Sequence, residues 1–242
     1  MTAHRFTVAG YRALIHAFLE RGYAAVGYRG FAGTERRLLL RHDVDLSPGH
    51  AVRQAEVNRE LGVAATFFFL VSSEQYNLCS AAGRAALAAV AANGQRIGLH
   101  FDAASCPPDA LEAHAARECA ILESLCGCPL EAVSFHRPVQ ALQGLEGSFA
   151  GLPHAYEPRF FRAIEYCSDS RGGFHHGSPL DRPAFAAGAP FQLLTHPIWW
   201  MREAELAPAE ALLDLLRARE PALRRDLAEH CEPFAAYLAA QG

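Results

Sequence analysis

Six short apolar runs alternate with helical stretches along this chain, and that alternation narrows the fold more than any other feature. The runs fall at 37–42, 64–71, 96–101, 132–135, 163–167 and 191–195. Each is the length of a buried strand and too short for a helix. Between them the pattern changes. Val8, Tyr11, Leu14, Ile15, Phe18 and Leu19 recur at helical spacing, and Gly22 closes that helix. Further helices are predicted at 49–61, 81–92 and 110–125, with a helical C-terminal region at 208–238 that breaks near Pro221. Residues 23–33 read as a connection rich in glycine and aromatics, 139–161 as a long loop with a short helix, and 168–190 as a long loop. Strand and helix in regular alternation predict a parallel α/β sheet with helices packed on it.

The residues at the ends of the runs point to a site. In LLLRHDVDLS, residues 38–47, three leucines run into Arg41, His42, Asp43, Val44 and Asp45. Asp43 and Asp45 are two apart, so on a strand they face the same side. Two carboxylates so placed are costly to bury unless a cation or a proton lies between them. Alternatively, the pair is solvated or caps the next helix. Later runs end in His100 and Asp102, in His136 and Arg137, in Asp169 and in His196. In a parallel barrel the C-terminal strand ends share one rim, and the site sits there.

Composition excludes several classes. The chain has 242 residues, 51% hydrophobic and 20% charged, enough for one large domain over 1–242 with C-terminal helices. A net charge of -4 leaves no electrostatic footprint for nucleic acid. No apolar stretch is long enough for membrane insertion. The N-terminal apolar stretch is interrupted by His16 and does not read as a signal peptide. Seven cysteines are an odd, scattered set, and the Cys126-x-Cys128 pair is a weak metal signal. The expectation is a cytoplasmic, reduced protein without disulfides.

Taken in order, RHDVD at 41–45, ATFFF at 65–69, IGLHFD at 97–102, SFHRP at 134–138, SDS at 168–170 and LLTHP at 193–197 resemble the motifs of the polysaccharide deacetylases of carbohydrate esterase family four. The likeness is greatest to a divergent branch whose first motif reads HDVD. The resemblance implies a distorted parallel (β/α) barrel of about seven strands with a divalent metal on the rim, zinc first, and cobalt, nickel, manganese or iron also compatible. It implies Asp43 as catalytic base, His196 as catalytic acid and Arg137 as the arginine that holds the base. Val44 stands where the family has its metal-binding aspartate, so that role passes to Asp45. His100 matches the first histidine of the family's metal pair, and Ala104 stands at the second. Asp102 or His136 is left to replace it, although Asp102 also reads as a helix cap and His136 as a hydrogen-bond donor to a ligand. His42 reads as structural. Trp199 and Trp200 read as a stacking wall for a sugar ring or as core.

The function implied is metal-dependent removal of an acyl group, acetyl above all, from an amino sugar or related small-molecule amide. The alternative is a non-catalytic carbohydrate-binding or assembly protein with a degenerate site, motivated by Val44 and Ala104.

Overall fold

The apolar run 38–40 lies at the centre of an all-parallel sheet in the computed structural model, which describes residues 5–137, 139–142 and 144–241. Its strands are β1 (Ala24–Val26), β2 (Arg37–Val44), β3 (Thr66–Phe69), β4 (Arg96–Phe101), β5 (Val133–Phe135), β6 (Glu165–Ser168) and β7 (Phe191–Thr195). The order is β5-β4-β3-β2-β7-β6, with β1 also on β2. Residues 37–39 of β2 pair with β1 and residues 41–44 with β3, while β7 pairs with residues 38–42. β1 and β3 therefore share one edge of β2 in succession, and β7 takes the other.

The helices of this unit are α1 (Val8–Glu20), α2 (Pro48–Glu60), α3 (Ala81–Ala92), α4 (Leu111–Cys126), and the short α5 (Pro158–Phe161), α6 (Pro183–Ala187) and α7 (Pro197–Trp200). Thr7 caps α1 by accepting from Gly10 N–H at 3.1 Å, and Ser47 caps α2 with Pro48 in its first turn. Leu38, Leu40, Val44, Phe67, Phe69, Ile97 and Leu99 face these helices and form the main core with Leu14, Ile15, Ala55, Leu87 and Leu122. The opposite face is smaller and aromatic: Leu39, Phe68, Ala132, Tyr28 and Phe160 pack together inside the curl of the sheet.

That face curves tightly. Asp43 of β2 and His100 of β4 come within 3.6 Å across β3, which lies between them. In a flat sheet, side chains two strands apart stay roughly 9–10 Å apart. Gly98 permits the closure, since a Cβ there would lie 2.6 Å from the Phe68 ring and 2.8 Å from the Ala132 carbonyl. The architecture is an incomplete parallel (β/α) barrel.

The structure corrects two expectations. Ala24–Val26 is a strand, not part of a connection; three residues are too few to show a period of two. The C-terminal break lies at Cys231, not near Pro221: α8 (Pro208–His230) runs through the proline and α9 (Glu232–Ala239) comes after it. Proline removes one helical N–H and crowds the carbonyl four residues back, a cost that solvent relieves at this exposed turn. These two helices belong to a second compact unit that starts at Glu205, and the barrel unit ends at Ala204. Among the described residues no helix is long and apolar enough to cross a membrane.

Candidate active site

Alternation along β2 sorts its polar residues. His42 points outward with Leu38 and Leu40 and is fully buried. Its ring lies 2.7 Å from Thr195 Oγ1, 3.0 Å from Asn58 Nδ2 and 3.2 Å from the Tyr11 hydroxyl. Burial pushes this imidazole down to about 3, so it stays neutral. Arg41 and Asp43 point inward. Arg41 Nε donates to Asp43 Oδ1 at 3.1 Å and Nη2 to Oδ2 at 2.7 Å. The guanidinium lies over the rings of Phe68 and Tyr156. Burial opposes the charge on Asp43, but Arg41 outweighs it and holds the carboxyl below the usual carboxylate range.

Three strand ends deliver candidate ligands to the same place. Asp45 Oδ1 lies 3.1 Å from His100 Nε2 and 3.3 Å from His136 Nδ1, and the three atoms all fall within 4.8 Å of one another. Ser134, the register partner of His100 on β5, holds its other nitrogen at 2.6 Å. With Nδ1–H donating to the Ser134 hydroxyl, Nε2 offers a lone pair. Asp45 Oδ1 is buried, and its near neighbours are the two ring nitrogens. A proton on either ring, or a divalent cation at the point the three atoms approach, would offset the cost of burying that carboxylate. One carboxylate and two imidazoles suit such an ion, with further positions left open.

Across the rim, His196 Nδ1 meets Asp169 Oδ1 at 2.5 Å, and its backbone N–H donates to the same carboxylate at 3.0 Å. Trp200 Nε1 donates to Asp169 Oδ2 at 2.6 Å. Burial works against a charged His196, but the charge and bond of Asp169 outweigh it and raise the ring to about 9. The free Nε2 faces Asp45 Oδ2 at 3.6 Å. Trp200 is fully buried and serves this carboxylate; it is no sugar-stacking wall.

The second arginine is elsewhere. The resemblance implies Arg137 beside Asp43, but Arg137 pairs with Asp102 through Nε at 2.9 Å and through Nη2. The Asp102 carboxylate is thereby turned to a guanidinium, and His136 stands in the candidate group with Asp45 and His100 instead. Asp102 and Arg137 line a cavity of about 320 Å³ with Asp45, His136, Ser73 and Glu74. Ala104 lies in a short turn at 103–105 and brings no ligand atom. Pro138, the last residue of SFHRP, lies outside the described residues.

Arg41 is a site residue that the motifs do not single out. Its signal in the sequence is its position two residues before Asp43 on the same face. Ser134, two residues before His136, carries a comparable one.

Solved structures share features of this chain. It is similar to polysaccharide deacetylases. With the peptidoglycan deacetylase PdaC of Bacillus subtilis it has 15% identity, a TM-score of 0.47, and coverage of 81% of this chain and 99% of the other. With the chitin deacetylase of the fungal pathogen Colletotrichum lindemuthianum the figures are 14%, 0.47, 75% and 81%. With the peptidoglycan deacetylase Bd3279 of Bdellovibrio bacteriovorus they are 19%, 0.46, 81% and 53%. No family model matches the sequence, nor does any curated protein.

Proposed function

We propose that the protein is a divalent-metal-dependent hydrolase that removes an acyl group, acetyl above all, from the nitrogen of an amino sugar or related amide. One observation carries this reading: Asp45 Oδ1, His100 Nε2 and His136 Nδ1 converge on one point beside a clamped carboxylate and a carboxylate-bound histidine. Zinc is the first choice for that donor set, and cobalt, nickel, manganese and iron are compatible with it. A cation held there would supply a Lewis acid that lowers the pKa of water and offsets charge on the amide oxygen.

The rest falls to the chain. Asp43, kept ionised and oriented by Arg41, takes the proton from the attacking water as its oxygen bonds the carbonyl carbon. His196, carrying the proton that Asp169 favours, presents Nε2 to the site and gives that proton to the amine as the C–N bond breaks. The cavity lined by Ser73, Glu74, Asp102 and Arg137 offers hydroxyl, carboxylate and guanidinium groups to a polar substrate such as a sugar. An odd, scattered set of seven cysteines suits a reducing compartment, and we propose the cytoplasm as the protein's location.

The test is release of acetate from a panel of free and nucleotide-linked N-acetyl amino sugars, with zinc or cobalt(II) added and binding of the ion measured by calorimetry. Wild type should bind one ion and release acetate, and Asp43→Asn and His196→Ala should bind the ion without turnover. A chain that takes up no metal and releases no acetate defeats the reading. Sugar binding without turnover would mark a non-catalytic carbohydrate-binding protein.

A further inference from the structure

The loop after β3 brings Tyr76 back to the rim. Its hydroxyl donates to the Val44 carbonyl at 2.6 Å and accepts from the Leu70 N–H at 2.8 Å. Val44 and Phe69 are the last registered pair of β2 and β3. In a parallel ladder the N–H one residue past a partner bonds back to the carbonyl opposite, so Leu70 N–H and Val44 C=O are each other's natural partners. Here the phenolic oxygen bonds both groups instead, and the registered pairing ends at Val44 and Phe69.

The residue after β2 is Asp45, and there the chain leaves the strand: residues 45 and 46 form a bend ahead of α2. Both carboxylates face one nitrogen, with Asp43 Oδ2 3.6 Å and Asp45 Oδ1 3.1 Å from His100 Nε2.

We propose that Tyr76 is a positioning residue for Asp45, its hydroxyl wedging the β2–β3 ladder open after Val44 and so aiming the carboxylate at His100 and His136. The inference rests on the reading of those three residues as metal ligands. Because the peptide unit is planar, a hydroxyl that fixes the Val44 carbonyl also fixes the nitrogen of Asp45. Val44 itself turns its side chain into the outer core, so the residue inserted between the two aspartates occupies no place in the site. Remove the hydroxyl, and Leu70 N–H and Val44 C=O are free to bond each other, extending the ladder one step and straightening the chain at Asp45.

The experiment titrates the full chain with cobalt(II), reading affinity by calorimetry and ligand geometry by visible absorption, with folding monitored by circular dichroism. Tyr76→Phe should keep the fold, bind the ion about 10- to 100-fold more weakly and shift the cobalt bands. Tyr76→Leu, which deletes the same hydroxyl, should do likewise. Asn77→Ala, in the same loop, should bind as wild type does. A folded Tyr76→Phe or Tyr76→Leu with wild-type affinity and bands overturns the wedge, as does an Asn77→Ala equally impaired. A wild type that binds no cobalt overturns the metal reading and takes this inference with it.

Discussion

Arg41 grips Asp43 from two residues away on the same strand face, Nε to Oδ1 at 3.1 Å and Nη2 to Oδ2 at 2.7 Å, with both residues buried. A guanidinium forked onto a carboxylate in a dry interior is hard to break from one side. Arg41→Met leaves the Asp43 charge without its partner and should cost about 3–5 kcal/mol in urea unfolding. Arg41→Met combined with Asp43→Asn should recover part of that loss, because no lone charge remains. A single-variant cost near zero would show that the pair does not hold the rim.

Asp169 gathers three donors, two from His196 and one from Trp200. Asp169→Asn keeps the shape and removes the charge that favours imidazolium. Acetate release near neutral pH should fall about 10²- to 10⁴-fold, the range of a lost general acid. Cobalt(II) affinity should stay within a few-fold of wild type, because Asp169 lies outside the ligand group. A variant with full activity would remove His196 from the acid role.

Much of this rim is legible in residue order. Asp43, Asp45, His100, His136 and His196 each stand at the end of an apolar run, and a period of two places Asp43 with Asp45 and His100 with Asp102. Pairing among the charges is not legible. A motif arginine next to His136 invites pairing with the base, but three-dimensional proximity decides, and Asp102 lies closer to Arg137 while Arg41 curls onto Asp43. A long side chain on the inner face can as well run down into the aromatic core, and sequence does not distinguish the two. Nor does sequence reveal Tyr76, because a wedge is visible only when both backbone groups it separates are in place. β1 escapes for want of length, and the helix through Pro221 because solvent tolerates what a buried helix would not.

His42 makes stability depend on acid in a definite direction. Its folded value is pushed down to about 3 by burial, against about 6.5 for an unfolded chain. Between those values the unfolded state binds a proton that the native state refuses, so stability falls as pH drops from about 6.5 toward 3. His196 runs the other way: raised to about 9, it stabilises fully below 6.5 and ceases to do so as pH rises through 9. The comparison is therefore wild type against His42→Gln by urea unfolding at several pH values from 7 to 4.5. Wild type should lose up to about 1.4 kcal/mol more per pH unit below 6 than the variant. Parallel curves would mean that the buried imidazole is protonated in the native state.

The choice of second histidine separates this site from the pattern it resembles. Ala104 brings no ligand atom, His136 joins Asp45 and His100 from a different strand end, and Asp102 pairs with Arg137. On the proposed ligand set, His136→Ala should weaken zinc or cobalt(II) binding on the order of 100-fold or more, since it removes one of three candidate ligands. Asp102→Ala should leave affinity nearly unchanged while freeing Arg137 at the cavity wall, an effect expected on substrate KM. His136→Gln, retaining size and a donor oxygen, should fall between wild type and His136→Ala in affinity. Calorimetry on the three variants decides the matter: a large loss for Asp102→Ala with none for His136→Ala would transfer the ligand to Asp102 and require the Arg137 pair to open when the ion binds.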